Sequence, residues 1–123
     1  MKSLVVHWLN ALCAGDIEGV VNLYTPNAVL VATFENRPLQ GHAALRGYFK
    51  KFMGGKPGLC GRVLMDIEQK ASGGTIVSSG LYEFSWQTPQ GSQSQKARYT
   101  FVFVPVAQGV YQILTHHSSL PPE

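Results

Sequence analysis

The stretch ARYTFVFVPVAQGVYQILTHHSSLP, residues 97–121, decides the fold of this chain. Its β-branched and aromatic residues predict two long strands, at about residues 97–106 and 110–118. The Gln108-Gly109 pair between them predicts a tight turn, so the two strands should form an antiparallel hairpin.

Both faces of this hairpin carry large or chemically capable side chains. Side chains of a strand alternate between its faces, which separates Tyr99, Phe101 and Phe103 from Arg98 in the first strand. Strict alternation in the second strand places His116 with Ser118 on the face of Arg98. The same alternation places His117 with Tyr111 and Ile113 on the other face. A sheet of this kind needs cover on both faces, from its own helices or from a partner.

Length and composition indicate one globular domain spanning residues 1–123. Hydrophobic residues make up 45% of the chain and charged residues 14%, which is typical of a folded protein and not of a disordered one. The net charge is +3, and the longest basic run is the Lys50-Lys51 pair. Scattered basic residues argue against a nucleic-acid partner, whose contact surface gathers them on one face.

The sequence offers no metal or cofactor signature. Cys13 and Cys60 are the two cysteines, and neither belongs to a CxxC or Cys/His cluster with zinc spacing. Gly54-Gly55-Lys56 precedes Pro57 where a phosphate-binding loop requires Ser or Thr. A disulfide and two free thiols are both open. We expect free thiols, because we also expect a cytoplasmic protein with neither a signal peptide nor a membrane span.

The remaining elements complete an α+β pattern. Helical periodicity and strand-like runs alternate in the order ααβαββββ. The predicted helices cover about residues 3–14, 17–23 and 42–52, and the predicted strands before the hairpin cover about 28–34, 60–70 and 75–87. Four consecutive strands predict an antiparallel meander, with three helices on the concave side of a long curved sheet.

Several short motifs in this order resemble a known superfamily. They are Ala14-Gly15-Asp16, Gly41-His42 with Leu45-Arg46 and Tyr48-Phe49, the strand 97–102, and the ending 111–121 with its His116-His117-Ser118-Ser119 run. The chain resembles the NTF2-like (cystatin-like) superfamily, which includes ketosteroid isomerase, scytalone dehydratase and the SnoaL-type cyclases. Within it, the likeness is greatest to the association domain of calcium/calmodulin-dependent protein kinase II and its free-standing bacterial relatives. We expect no kinase domain, because the single fold uses the 123 residues.

The resemblance implies a ligand pocket between the sheet and the helices. In the kinase hub that pocket is lined by arginines and accepts carboxylates. Carried over by motif, these positions fall on Arg98, Tyr82, Ser118 and Arg46, so the arginine cluster is thinned here. His116 is a further candidate, because a histidine near an arginine and a tyrosine can move protons. We therefore expect Arg98, Tyr82 and His116 to converge on one cavity that binds a small anionic or aromatic molecule.

Two classes of function stay open. The first is a non-catalytic assembly module that binds a ligand in its pocket, and the second is a cofactor-independent isomerase, dehydratase or cyclase. Isomerase chemistry of the ketosteroid type needs a carboxylate base and an acid that donates to an oxyanion. The seven acidic residues do not supply that set convincingly, which favours the binding module.

The resemblance also implies a homodimer formed through the outer face of the sheet. We expect the aromatic stripe to lie on that face, since an exposed stripe of this size requires a second copy to cover it. The predicted interface residues are Tyr99, Phe101, Phe103, Tyr111 and Ile113.

Overall fold

The structure is a computed structural model and describes residues 3–122. It contains three α-helices, α1 (Leu4–Cys13), α2 (Ile17–Val21) and α3 (His42–Met53). Its six strands are β1 (Tyr24–Val31), β2 (Leu39–Gln40), β3 (Cys60–Lys70), β4 (Ile76–Thr88), β5 (Gly91–Ala107) and β6 (Val110–Ser119). A 3₁₀ turn at Ser72–Gly74 joins β3 to β4. No helix within residues 3–122 is long and apolar enough to span a membrane.

The six strands form one sheet in the order β2-β1-β6-β5-β4-β3. All neighbouring pairs are antiparallel except β1 with β6, which run parallel. The predicted α+β class, the meander from β3 to β6 and the three helices on one face are confirmed. Two details differ: β1 covers Tyr24–Val31 where a strand at about residues 28–34 was predicted, and the short β2 was not foreseen. Two residues after a proline carry too little periodicity to predict a strand.

Local signals set the ends of the first two helices. The Ser3 side chain accepts a hydrogen bond from the backbone N–H of Val5, and the Asp16 carboxylate accepts one from Gly19. Between the two helices, Gly15 has a φ of 71°, a left-handed conformation that glycine adopts without a Cβ clash. The chain therefore reverses sharply, and both helices lie against the sheet.

The aromatic stripe of β5 lies inside the protomer, and the predicted dimer interface is wrong. Tyr99, Phe101 and Phe103 are 3%, 0% and 3% exposed, because they form the inner face of the sheet, which the helices cover. Ile113 is equally buried, and Tyr111 packs against the same core. Alternation shows which residues share a face, but it does not show which face the helices take. Here the helices cover the face with the larger apolar volume, which leaves Arg98 on the other, outer face.

A β-bulge in β6 reverses the predicted orientation of its histidines. Val102 pairs with Thr115 while the next residue, Phe103, pairs with Ile113, so Leu114 is an extra residue in β6. As a result His116 is buried on the inner face with Ile113, whereas strict alternation placed them on opposite faces. His117 is exposed.

The two cysteines are joined, and the expectation of free thiols is wrong. A Cys13–Cys60 disulfide connects the last residue of α1 to the first residue of β3 across 47 positions. The helix end packs directly on the start of this edge strand, which brings together two residues that the sequence gives no means to pair.

Candidate functional site

A cavity of about 90 Å³ lies between the helices and the inner face of the sheet. Aromatic rings make up about half of its lining residues and come from α1, the segment after β1, α3 and β4. They are Trp8, Phe34, Tyr48, Phe49, Phe52, Tyr82, Phe84 and Trp86. Phe34 is 75% exposed and belongs to the rim, whereas Tyr82 and Trp8 are almost completely buried. This lining suits a flat apolar molecule, because ring faces and edges pack against it.

Few polar groups reach the cavity. Lys56 is the one charged residue in its lining, and no aspartate or glutamate of residues 3–122 lies there. The uncharged polar groups are those of Thr33, Tyr82, Gln95, His116 and Ser118, in addition to the Tyr48 hydroxyl and the Trp8 and Trp86 indoles. Any chemistry at this site therefore depends on the Lys56 ammonium and on neutral hydroxyl, amide, indole and imidazole groups.

A hydrogen-bonded chain of side chains runs behind the wall of the cavity. It starts at Trp8 Nε1, which donates to Tyr24 Oη at 3.0 Å. Tyr24 Oη lies 2.8 Å from His116 Nδ1, and His116 Nε2 lies 3.1 Å from Tyr82 Oη. Tyr82 Oη donates to Ser118 Oγ at 2.8 Å. The chain crosses the core from α1 through β1, β6 and β4 and ends at a residue that lines the cavity.

The direction of this chain follows from its first member. An indole N–H can only donate, so the Tyr24 oxygen accepts from Trp8. The fully buried Tyr24 hydroxyl then places its own hydrogen on His116 Nδ1, because within residues 3–122 no other acceptor bonds to it. His116 is consequently the tautomer protonated on Nε2, and it donates to Tyr82. Both ring nitrogens are occupied, which leaves His116 no free lone pair to offer a ligand.

Burial keeps the members of the chain uncharged. Loss of solvation, together with a smaller contribution from the neighbouring His117, lowers the pKa of His116 to about 3. Burial likewise raises the pKa of Tyr24 and Tyr82 well above the ordinary tyrosine value. Burial also raises the pKa of Tyr48 to about 12, with a contribution from the charge of Glu35. At neutral pH these four side chains are therefore neutral hydrogen-bonding groups.

Lys56 gives the cavity its positive charge. Its Nζ lies 4.8 Å from the centre of the Phe52 ring and 5.8 Å from that of Trp86, and it donates to the Phe52 carbonyl at 2.9 Å. The ammonium has three N–H donors, so it keeps capacity for an anionic or polar group of a ligand. No sequence motif indicates this role, since Lys56 stands in a glycine-rich loop between α3 and β3.

The structure brings together three of the five predicted site residues. Tyr82, His116 and Ser118 lie at one place in the cavity wall, as expected. Arg98 does not join them, because it is exposed on the outer face of the sheet. Arg46 faces away as well, and its guanidinium forms a bidentate ion pair with Glu18 at 2.6 and 2.9 Å on the helix surface. Both arginine predictions are therefore wrong for this cavity.

Trp8 and Tyr24 take part in the site more directly than sequence reasoning indicated. Both stand at positions whose helical spacing indicates core residues. Their polar atoms orient His116, and no periodicity in the sequence indicates that pairing, since Tyr24 and His116 are 92 positions apart.

Comparison with known proteins agrees with this architecture. Residues 5–109 match the family model of the SnoaL-like domain. No curated protein matches the sequence. A Xanthomonas campestris protein, provisionally assigned as a calcium/calmodulin dependent protein kinase II association domain, has a similar structure. It is 30% identical, with a TM-score of 0.86 over 98% of this chain and 84% of its own.

Two more distant structures share the fold alone. One comes from Catenulispora acidiphila and was determined in complex with S-DNPA. It is 17% identical with a TM-score of 0.81, over 94% of this chain and 86% of its own. The other is an NTF2-like protein of unknown function from Pseudomonas putida KT2440. It is also 17% identical, with a TM-score of 0.80 over 98% of this chain and 83% of its own.

Proposed function

This chain belongs to the SnoaL-like domain family within the NTF2-like superfamily, and we propose that it is a non-catalytic module that binds a small aromatic molecule. The observation that carries this proposal is the cavity itself: an aromatic wall, one ammonium at Lys56, and neutral hydroxyl groups. This cavity differs from the arginine-lined carboxylate pocket of the kinase hub. Arg98 lies on the outer face and Arg46 is paired with Glu18, so Lys56 alone supplies positive charge.

A binding role also fits the state of the polar groups. General acid–base catalysis needs a group that can take up and release a proton near neutral pH. The cavity lining includes no carboxylate among residues 3–122, and His116 has both nitrogens engaged within the protein. The Catenulispora acidiphila structure, solved with S-DNPA, supports a small-molecule ligand in a protein of this fold.

Binding can be tested with a pair of probes that differ by one carboxylate. We expect ¹⁵N-labelled protein to bind 4-isopropylbenzoate and, more weakly, isopropylbenzene in NMR titrations, since both carry a flat apolar ring. Lys56→Met should weaken 4-isopropylbenzoate about tenfold, because a charge-assisted contact contributes about 1.5 kcal/mol. The same variant should leave isopropylbenzene unchanged. If neither probe binds, the proposed function is wrong.

A cofactor-independent isomerase, dehydratase or cyclase is the second candidate. The match of residues 5–109 to the SnoaL-like domain favours it, because the superfamily that the chain resembles includes isomerases, dehydratases and cyclases. Proton abstraction beside a carbonyl would exchange the methyl hydrogens of acetophenone with solvent. In D₂O we expect the acetophenone methyl signal to persist at its uncatalysed rate, and protein-dependent loss of that signal would favour the enzyme.

We also propose a homodimer that uses the outer face of the sheet with a corrected set of residues. Val77, Val102 and Thr115 lie side by side on β4, β5 and β6, on the side opposite to the helices. Within residues 3–122 no helix covers this face. Its apolar centre supports a two-fold contact between copies, and the similar Xanthomonas campestris protein is assigned to a family of association domains. Light scattering that gives a monomer mass at micromolar concentration would contradict the dimer.

The cytoplasmic location is a hypothesis that the disulfide weighs against. Bridges such as Cys13–Cys60 persist in oxidising compartments and are rare in the cytosol of mesophiles. Thiol labelling in intact cells tests the location, because a cytoplasmic protein should carry two reactive thiols and an exported one should carry none.

A further inference from the structure

The hydrogen-bonded chain behind the cavity has one more hydrogen than it can use. Six side chains belong to it, each with one N–H or O–H hydrogen. They are Trp8, Tyr24, His116, Tyr82, Ser118 and Thr33. Five hydrogen bonds join them, so five hydrogens are used within the chain and one remains.

The remaining hydrogen belongs at the end of the chain that faces the cavity. Trp8 fixes the direction at the other end, and each buried member both accepts and donates. Ser118 Oγ accepts from Tyr82 at 2.8 Å and from Thr33 Oγ1 at 3.2 Å, which fills its two lone pairs. Its own hydrogen has no partner in the chain, and Ser118 is a half-buried residue of the cavity lining.

We propose that the Ser118 hydroxyl is a specificity-determining donor that selects aromatic ligands with a carbonyl oxygen. This inference rests on the proposed function, since it names the class of molecule that the same cavity takes. A hydroxyl that accepts two hydrogen bonds is a stronger donor, because the bonds along a chain polarise one another. A ligand that offers an acceptor to Ser118 completes the chain, whereas a pure hydrocarbon leaves the hydroxyl without a partner.

Two neutral probes of nearly the same shape isolate this contact. Acetophenone carries a carbonyl oxygen where isopropylbenzene carries a methyl group, and neither depends on the charge of Lys56. We expect Ser118→Ala to weaken acetophenone three- to tenfold in NMR titrations and to leave isopropylbenzene within about twofold. Such a change corresponds to the loss of one neutral hydrogen bond.

Ser119→Ala is the matched control, because it removes the hydroxyl of the next residue of β6, which is not part of the cavity lining, and keeps that of Ser118. It should retain the acetophenone affinity. The carbonyl stretching frequency of bound acetophenone gives a second measurement. It should lie below that of the free ketone in a non-polar solvent for the wild type and Ser119→Ala, and should rise in Ser118→Ala.

The possible results separate this inference from the proposed function. If both probes bind and Ser118→Ala weakens them equally or not at all, the Ser118 inference is wrong while the binding function stands. If none of acetophenone, isopropylbenzene and 4-isopropylbenzoate binds, the proposed function is wrong, and so is this inference, which rests on it.

Discussion

Acidification should destabilise this protein through one buried histidine. His116 is 2% exposed, its ring stacks 3.8 Å from the centre of Phe101, and both of its nitrogens bond to tyrosines. A proton added to Nδ1 would displace the hydrogen that Tyr24 donates there and would place a charge in the core. The folded protein therefore resists protonation of His116 far more strongly than the unfolded chain does.

The size of the effect follows from the difference between the two states. The pKa of His116 is lowered from 6.5 to about 3, first by burial and then by His117. Below pH 6.5 the unfolded chain binds a proton that the folded protein does not bind, so stability falls as the pH falls towards 3. Each unit of this window is worth about 1.4 kcal/mol, and the fall between pH 7 and pH 4.5 is about 2.5 kcal/mol.

Urea unfolding at pH 7, 6, 5 and 4.5 measures this loss directly. His116→Gln should be less stable at pH 7, because it disturbs the chain of hydrogen bonds, but its stability should change much less with pH. His117→Gln is the matched control, since its side chain is exposed on the next position, and it should keep the wild-type pH dependence. Equal pH dependence in the wild type and His116→Gln would refute the reasoning. Should His116→Gln fail to fold, the imidazole signals of His116 in the wild type must stay in their neutral positions down to about pH 4.

Four further predictions concern other parts of the fold. Reduction of the Cys13–Cys60 disulfide should lower the free energy of unfolding by about 4 kcal/mol, because the bridge closes a loop of 47 positions; an unchanged urea midpoint would contradict it. Phe101→Ala should cost about 3–5 kcal/mol in urea unfolding, since Phe101 is fully buried, and a loss below 1 kcal/mol would contradict its place in the core. Val102→Glu, its neighbour on the outer face, should fold normally but halve the mass seen by light scattering, and an unchanged dimer mass would exclude this part of the face from the interface. Arg98→Ala should change the affinity for 4-isopropylbenzoate by less than twofold, whereas a tenfold loss would show that Arg98 contacts the ligand.

Local chemistry made the order of elements predictable from the sequence. Helical periodicity in 4–12 and the strand-like runs each depend on neighbouring residues, and the elements they predict are confirmed apart from the bounds of β1 and the short β2. The division of β5 into two faces was also right, because strand alternation is a local property.

Properties that depend on distant packing were not predictable. The packing of the whole core decides which face of β5 the helices cover. For this reason Phe101, which was predicted at a dimer interface, lies in the centre of the protein. The extra residue Leu114 turns His116 inward, and the pattern of β-branched residues in this strand does not indicate such a bulge. The candidate site was half predicted for the same reason: Tyr82, His116 and Ser118 were found by motif, and Lys56 and Tyr24 were not.

The central claim, that the aromatic cavity binds a ligand, has a direct spectroscopic test. The chain has two tryptophans, Trp8 and Trp86, and both line the cavity, so the two indole N–H signals in a ¹H–¹⁵N spectrum report on its occupation from two sides. Titration with 4-isopropylbenzoate should move both signals along saturating curves that give one dissociation constant. Saturable binding that leaves both indole signals in place would put the ligand elsewhere on the protein and contradict the account.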